Sequence, residues 1–392
     1  MEYTYQFFTG GFEAVTSGLD ALAALRDVYS RAGPGDVIIG WSASFDQYGL
    51  AADFVHRAGK KIWLWLPVFS ELPACSAPDP CVSYLGRPQR GLGGFGGEDF
   101  RFVCPSSKRN RGIVYELYER HFAHLPFDGV FLDKIRHASF AGGAENGFGC
   151  FCKKCAVFYA GKGVDAGEIA ELIKRDMAAF LPSRLENGVY RYDNPAADGF
   201  CREKAGLITA AVTDVCVLFQ SRRLITSLDV FAPLLAPLAG QDIPALARAA
   251  KCEAHSAAAP AALQTTASFV KPMLYRITGA PAGLPYEISM LNGSFRPCGA
   301  DAEQALKAVW GISNLYSDEC MKEQLRRLGL SAASLRPGFE VNILKGICDS
   351  TPEYAAYTGS LLARLGYTNA VLSWNMFSDT GGNIDSLRQV TA

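Results

Sequence analysis

The sequence predicts an α/β fold, a single (β/α)8 TIM barrel over residues 1–392, with long insertions after strands 3, 4 and 6. Short apolar segments, rich in β-branched and aromatic residues, recur along the chain, and each is followed by an amphipathic helical stretch. Parallel strands that are covered by helices have this pattern. The length of 392 residues accommodates one such barrel of about 250 residues together with insertions.

Eight segments have the length and composition of buried strands. They are residues 3–9, 37–41, 62–68, 129–133, 224–229, 269–275, 339–344 and 370–375. Helices are predicted at residues 18–32, 45–58, 111–123, 205–222, 243–250, 302–313, 352–365 and 384–390. Eight alternations favour a closed barrel. An open, doubly wound sheet is the second choice, because residues 9–14 lack the G-x-G-x-x-G spacing of a nucleotide-binding turn.

Three connections are too long to be plain loops: residues 69–110, 134–205 and 276–336. Each follows the carboxyl end of a strand, and this face of a barrel holds the active site. We therefore expect them to form the walls and lids of a pocket, with surface excursions as the alternative. The glycine-rich residues 91–97 are interpreted as a flexible flap over it.

Charge and composition narrow the range of partners. The 38 Lys and Arg balance 39 Asp and Glu without a basic block, which argues against nucleic acid or a membrane surface as the partner. No signal peptide or uninterrupted apolar span is evident, so a cytoplasmic location is expected. Twelve cysteines are too dilute for a disulfide scaffold. The sequence leaves the oligomeric state open.

Two carboxylates end apolar strands. Asp133 closes FDGVFLD and Asp229 follows LITSL, and a carboxylate in such a position must be solvated by a pocket or paired. Acids at the mouths of adjacent strands can flank a scissile glycosidic bond. An Asp133–Arg136 ion pair, or Asp229 as the cap of a turn, is the structural alternative. Glu340 is a third acid, placed by the prediction at the beginning of its strand and therefore a weaker catalytic candidate.

Several other polar and aromatic residues near strand ends are candidates for binding a sugar, because aromatic rings cover its C–H faces and polar groups bond its hydroxyls. They are Arg136, Trp41, Lys271, Tyr275, Asn342, Trp374 and Asn375. A place in the hydrophobic core is the alternative for each aromatic residue.

A cysteine cluster, CFCKKC, lies in the insertion after strand 4. Cys150, Cys152 and Cys155 have a spacing that can hold a structural Zn²⁺, given a fourth ligand. Candidates for that ligand are Cys104, Cys75, Cys81 and His137. Free thiols or a disulfide are the alternatives. No cofactor is expected to take part in catalysis.

The chain resembles a family of bacterial glycoside hydrolases with a TIM barrel. The resemblance rests on FDGVFLDKIR with the downstream CFCKKC, LDVFAPLLAPLAGQD, FVKPMLY and AVLSWNMF. It implies a carbohydrate or glycoside substrate, Asp133 as nucleophile and Asp229 as general acid. It also implies that Arg136, Lys271, Tyr275 and Trp374 bind the sugar. The acid/base glutamate that follows a middle strand in many such barrels has no clear counterpart, so the second carboxylate stays open.

The predicted function is therefore hydrolysis of an O-glycosidic bond by paired carboxylates. A non-catalytic carbohydrate-binding barrel and a metal-dependent hydrolase or lyase are the alternatives. A carboxyl separation of about 5–5.5 Å would indicate a retaining mechanism and about 6.5–9.5 Å an inverting one. The sequence does not decide between these two.

Overall fold

The computed structural model describes residues 1–16, 18–93, 98–186, 188–250 and 268–390. It confirms the predicted fold class, since eight parallel strands form one sheet. The barrel strands are β1 Glu2–Phe8, β2 Asp36–Gly40, β3 Ile62–Pro67, β4 Gly129–Asp133, β5 Ile225–Val230, β6 Val270–Pro272, β7 Gly338–Glu340 and β8 Asn369–Ser373. Almost every residue in them is buried, as expected for strands covered on both faces.

The sheet closes on itself. Its order is β6-β5-β4-β3-β2-β1-β8-β7, and the gap between β6 and β7 is bridged by backbone hydrogen bonds. The Leu274 N–H donates to the Gly338 carbonyl at 2.9 Å, and the Arg336 N–H donates to the Val270 carbonyl at 3.0 Å. A doubly wound open sheet is therefore excluded.

Helices cover the barrel and fill its insertions. Within the part of the chain that the structure describes, those of seven residues or more are Ala21–Ala32, Tyr48–Arg57, Lys108–His121, Lys153–Ala160, Ala166–Arg175, Pro195–Ser221, Ile243–Ala249, Leu284–Phe295, Ala302–Trp310, Asp318–Arg327 and Pro352–Arg364. Many begin at a side chain that accepts a hydrogen bond from the first turn. Asp20 accepts from the Ala23 N–H, and Ser107 from the Asn110 N–H. Each such cap stabilises its helix by about 1 kcal/mol.

The insertions are more regular than long loops. The insertion after β4 contains the helices Lys153–Ala160 and Ala166–Arg175 and a hairpin of Arg184–Glu186 with Val189–Arg191. It runs into Pro195–Ser221, which begins ten residues before the predicted start at 205. The reason is local, because Asn194 caps this helix and a proline occupies its first turn.

The helix Pro195–Ser221 is also, among the described residues, the single one long and apolar enough to cross a membrane by length and composition. Phe200, Leu207, Val212 and Phe219 are among its buried residues. The helix packs against β5 and neighbouring helices. This packing gives its apolar composition a structural reason.

The predicted strand at 339–344 is wrong in its extent. β7 is Gly338–Glu340, and Ile343–Leu344 instead pairs antiparallel with Cys348–Asp349. Asn342 interrupts the segment because its side-chain oxygen accepts hydrogen bonds from the backbone N–H groups of Trp374 and Asn375. Glu340 therefore lies at the carboxyl end of its strand, contrary to the prediction.

Arg336 fills the opposite, amino-terminal end of the barrel. Its Nη1 donates to Thr4 Oγ1 at 2.8 Å and to Asp36 Oδ2 at 2.7 Å. The guanidinium carbon lies 4.1 Å from the centre of the Phe269 ring and 5.2 Å from that of Trp63. This floor is a closed, paired arrangement, which leaves the carboxyl ends of the strands as the face that holds a cavity.

Candidate active site

Three ionisable side chains form one row across the carboxyl ends of β4, β5 and β6. Leu132 is paired with Leu228, so Asp133 and Asp229, one residue further on, lie on neighbouring strands. Asp229 is in turn paired with Lys271. The structure therefore brings together both predicted carboxylates and one predicted binding residue.

Asp229 is 2% exposed and only partly satisfied. Its Oδ2 accepts a hydrogen bond from Lys271 Nζ at 3.0 Å, whereas Oδ1 has no hydrogen-bond partner within the described part of the chain. Burial raises the pKa of Asp229 to about 8, an effect that Lys271 opposes and the negative charge of Asp133 reinforces. A carboxyl of this kind holds its proton at neutral pH.

Lys271 crosses the barrel interior and uses all three of its N–H donors. Its Nζ donates to Gln6 Oε1 at 2.9 Å, to Asp229 Oδ2 at 3.0 Å and to the Tyr275 hydroxyl at 2.7 Å. Gly338 makes room for this side chain, since a Cβ there would lie 2.4 Å from Lys271 Cε. Lys271 thus positions Asp229.

Asp133 is held by two N–H donors. The Trp65 indole Nε1 donates to Oδ2 at 3.0 Å, and the Lys134 backbone N–H donates to Oδ1. Both contacts fix the direction of the carboxylate at the barrel mouth. Among the described residues, Asp133 forms no ion pair with Arg136. Such a pair was the structural alternative to a catalytic role for Asp133.

Lys134 joins the strand ends to the insertion after β3. Its Nζ lies 2.8 Å from Glu71 Oε1 and 2.6 Å from Glu98 Oε1, and 4.0 Å from the centre of the Phe100 ring. Burial lowers the pKa of Lys134, but Glu98 and Glu71 outweigh it and the pKa is raised. Burial also raises the pKa of Glu98, although Lys134 opposes this. The ion pairs fasten residues 98–100 over the cavity.

Arg136 lies between two aromatic rings. Its guanidinium carbon is 3.8 Å from the centre of the Phe231 ring and 4.6 Å from that of Phe102. Nη1 donates to the His137 carbonyl at 2.9 Å, while Nε has no partner among the residues that the structure describes. Burial lowers the pKa of Arg136 to about 10, with Glu287 and Asp133 opposing. The group stays charged at neutral pH and has a donor available.

These residues surround a cavity of about 120 Å³. Its walls combine carboxylates and cations with aromatic and aliphatic side chains, which is the composition of a small-molecule site. The lining residues are Gln6, Phe8, Trp65, Glu98, Phe100, Asp133, Lys134, Arg136, Asp229, Met273, Tyr275, Thr278, Ala280, Pro281, Ala282, Leu344, Ile347 and Trp374. A larger groove of about 590 Å³ beside Trp310 lies away from the strand ends and lacks this row of buried acids.

Three residues predicted to bind substrate lie behind the cavity wall. Trp41 is fully buried, with its ring centre 4.7 Å from that of Phe8 and 4.9 Å from that of Trp65. Asn342 holds the backbone of residues 374 and 375, and the Asn375 side chain accepts from the Phe8 N–H at 3.0 Å. They support the residues that line the cavity, as Asn342 does for Trp374.

Glu340 is fully buried and differs from Asp229 in its contacts. Its Oε1 accepts from the Ile277 N–H, the Thr278 N–H and the Thr278 hydroxyl, and its Oε2 accepts from the Tyr354 hydroxyl at 2.8 Å. Burial raises its pKa, which these donors oppose. Glu340 is therefore a structural anchor for the loop after β6.

Sequence reasoning missed Glu98, Glu71 and Gln6. Glu98 follows the glycine-rich 91–97 stretch, of which residues 94–97 lie outside the described residues. The glycine-rich stretch could have pointed to Glu98, since an acid beside a proposed flap is a candidate for lining the pocket. Trp65 was also missed, although it lies on the strand next to Asp133.

The cysteines of the CFCKKC cluster are not among the described residues that line this cavity. The Sγ atoms of Cys104, Cys150, Cys152 and Cys155 all lie within 4.8 Å of one another. Of the proposed fourth ligands, the structure brings Cys104 into the group. Cys75 is exposed and contacts Glu13, and His137 does not belong to the group.

Comparisons with known proteins give structural matches alone. No family model and no curated protein matches the chain. It is similar to the glycoside hydrolase domain of PgaB (BpsB) from Bordetella bronchiseptica, with a TM-score of 0.60 and 13% identity over 100% of this chain and 98% of that chain. α-L-Fucosidase isoenzyme 2 from Paenibacillus thiaminolyticus matches with a TM-score of 0.53 and 10% identity, over 99% of this chain and 48% of that chain.

A third match is the β-galactosidase of the psychrophilic Marinomonas ef1, with a TM-score of 0.50 and 11% identity over 100% of this chain and 59% of that chain. The chain thus spans about half the length of the fucosidase and somewhat more of the galactosidase. At these identities the similarity shows a shared barrel fold.

Proposed function

We propose that the chain is a glycoside hydrolase that cleaves an O-glycosidic bond, with Asp133 and Asp229 as its paired carboxylates. The observation that carries the proposal is that Asp133 and Asp229 line one cavity from neighbouring strands, and that Asp229 Oδ1 lacks a hydrogen-bond partner among the described residues. Burial raises the pKa of Asp229 to about 8, which suits this carboxyl to the role of proton donor in such a pair. The matched structures are named as a glycoside hydrolase domain, a fucosidase and a galactosidase, which supports the same class.

Asp229 is the general acid of this proposal. It holds a proton at neutral pH, and its Oδ1 has no partner among the described residues. When the bond between the anomeric carbon and the glycosidic oxygen breaks, the Asp229 proton passes to that oxygen and the aglycone leaves as an alcohol. Lys271 fixes Oδ2 at 3.0 Å and so leaves Oδ1 as the atom that reaches the substrate.

Asp133 is the carboxylate that acts on the anomeric carbon. The indole of Trp65 and the backbone N–H of Lys134 orient it from one side. Attack by its oxygen would give a covalent glycosyl intermediate and retention, whereas deprotonation of a water would give inversion. The configuration of the first-formed product, followed by NMR, distinguishes these two routes.

The cavity walls supply recognition of the sugar. Tyr275 and Trp374 lie side by side, with ring centres 6.2 Å apart, and form an aromatic wall for C–H faces. Arg136 and Gln6 add polar groups, of which Arg136 Nε and Gln6 Nε2 lack partners within the described chain. Unsatisfied buried donors favour a ligand rich in hydroxyl acceptors.

A metal-dependent reaction at the cysteine cluster is less favoured. The cysteines of the cluster do not appear among the described residues that line the cavity. Four thiols around one ion would also leave no open coordination position, which a catalytic zinc requires. The carboxylate row accounts for the chemistry without it.

The proposal is tested by screening the wild type and Asp133→Asn against chromogenic α- and β-glycosides, with binding of the free sugars measured in parallel. We expect turnover by the wild type and a loss of about 10⁴-fold or more in the variant, with binding retained. Asp128→Asn is the matched control. Asp128 precedes the same strand at its other end, where it accepts from the Ile62 N–H and contacts His56.

Sugar binding by both proteins without turnover by either would replace the hydrolase with a non-catalytic carbohydrate-binding barrel. Equal losses in Asp133→Asn and Asp128→Asn would show a general effect on folding and would contradict a catalytic role for Asp133.

A further inference from the structure

The cysteine cluster connects two insertions at the barrel mouth. Cys104 ends the excursion that follows β3, and Cys150, Cys152 and Cys155 lie in the insertion after β4. The Cys104 Sγ lies 3.3 Å from Cys152 Sγ and 3.5 Å from Cys155 Sγ. Cys104, Cys150 and Cys155 are buried, and Cys152 is partly buried.

These distances fit four thiolates around one ion. A tetrahedral Zn²⁺ with Zn–S bonds of about 2.3 Å places its sulfur ligands about 3.8 Å apart. All four Sγ atoms lie within 4.8 Å of one another, so their separations are compatible with that spacing. A disulfide would join the sulfurs in pairs at about 2.05 Å and would leave no reason for a group of four.

The surroundings of the cluster suit a charged thiolate group. The Val82 N–H is directed at Cys150 Sγ, 3.5 Å away, and the Ser106 hydroxyl lies 3.3 Å from Cys155 Sγ. Outer groups of this kind stabilise thiolate ligands. When Zn²⁺ binds, four S–H protons are released and the group carries a net charge of −2, which hydrogen bonds from the N–H and hydroxyl groups partly offset.

We infer that Cys104, Cys150, Cys152 and Cys155 bind a structural Zn²⁺ that fastens the insertion after β3 to the insertion after β4. The inference does not depend on the proposed hydrolase activity. Four protein ligands complete the coordination of the ion, so its role is to hold the two segments together.

The ion has a consequence for the cavity. Phe100 and Phe102 lie four and two residues before Cys104, respectively, and their rings contact Lys134 and Arg136. Fixing Cys104 therefore fixes the end of the segment that forms one cavity wall. Loss of the ion is expected to lower the unfolding temperature and to weaken ligand binding before it changes the chemical step.

The test measures metal by elemental analysis in full-length protein purified without chelator or a metal-affinity tag. We expect about one zinc per chain in the wild type and much less in Cys104→Ser and Cys152→Ser. Cys216→Ser is the matched control, because Cys216 is a buried thiol on the helix Pro195–Ser221, outside the cluster. This control should keep its zinc.

A second measurement needs no substitution. Wild-type protein produced in zinc-poor medium with Co²⁺ should show the charge-transfer absorption of a tetrahedral thiolate site. Zinc-free protein with disulfides among the four cysteines by mass spectrometry would overturn the inference. Iron in place of zinc would overturn the identity of the metal, and equal zinc in the wild type and both cluster variants would overturn the ligand set.

Discussion

Asp229 and Glu340 are two buried carboxylates at the same end of the barrel, on β5 and β7, and they differ in how fully they are bonded. Glu340 accepts four hydrogen bonds, from Ile277, Thr278 and Tyr354. Within the described ranges, Asp229 accepts one, from Lys271, and its Oδ1 has no hydrogen-bond partner. Burial raises the pKa of both. Completeness of hydrogen bonding, rather than burial or pKa, therefore separates the structural acid from the candidate for chemistry.

The comparison is tested most severely by Asp229→Asn. If Asp229 is the general acid, kcat on glycosides with poor leaving groups should fall by about 10²–10⁴-fold. Glycosides with an activated aryl leaving group, which need no proton, should lose far less. The measurement is kcat for a series of aryl glycosides of graded leaving-group acidity.

Glu98→Gln provides the control for that series, because Glu98 also lines the cavity and burial raises its pKa. A loss that depends on the leaving group in Glu98→Gln but not in Asp229→Asn would move the acid role to Glu98.

The pH dependence of kcat/KM should show an alkaline limb near pH 8. The proton on Asp229, whose pKa is raised to about 8, is required for activity, so the rate should fall about tenfold per pH unit above that value. A profile flat from pH 6 to 10 would be incompatible with Asp229 as the acid.

The ionisation of Asp229 also makes the free energy of unfolding depend on pH. The folded pKa lies above the ordinary value of 3.8, so the folded state binds the proton more tightly than the unfolded state. The resulting stabilisation is complete below pH 3.8 and is lost as the pH rises to about 8. Asp229→Asn should remove this part of the pH dependence, as measured by chemical unfolding at several pH values.

Lys271→Met should shift the alkaline limb to higher pH. The Lys271 ammonium favours the charged form of Asp229 and so lowers its pKa, and removing the ammonium raises the pKa further. Lys204→Met is a matched control, since Lys204 is a buried lysine that donates to the Leu238 carbonyl and does not line the cavity. An unchanged limb in Lys271→Met would show that the two groups are not coupled.

The smallest effect on activity is expected for Glu340→Gln. The substitution removes one acceptor and should lower the free energy of unfolding by about 1–3 kcal/mol. The kcat of the folded protein should stay within about tenfold of the wild-type value. Denaturant unfolding and kcat measured on the same preparation separate these effects. A loss of kcat as large as that of Asp229→Asn would break the distinction between the two acids.

Most of the fold and part of the site could be predicted from the apolar strand segments and from the polar residues at their ends. All eight barrel strands were found, because buried parallel strands are continuous apolar segments. Asp133 and Asp229 stand out as acids at the ends of such segments. Glu340 was misplaced because Val341 and the apolar residues 343–344 extend the apparent strand, while the side chain of Asn342 interrupts it.

The contribution of the insertions was not predictable in the same way. Glu71 and Glu98 pair with Lys134 across 63 and 36 residues of chain, respectively, and no local pattern encodes that contact. Which cysteine joins Cys150, Cys152 and Cys155 depends equally on how two insertions meet. Short-range periodicity reports burial, whereas these contacts depend on the tertiary path of the chain.

The closed floor at Arg336 has a consequence for exchange with solvent and for redesign. Because its side chain seals the amino-terminal end by bonding Thr4 and Asp36, any molecule that enters the cavity has to leave by the same mouth. The barrel interior is therefore closed at its amino-terminal end, and the contacts there hold the strands in register whichever loops follow the carboxyl ends of the strands. Replacing the loops at the carboxyl end can change which molecule enters the cavity, while the contacts at the amino-terminal end continue to stabilise the fold.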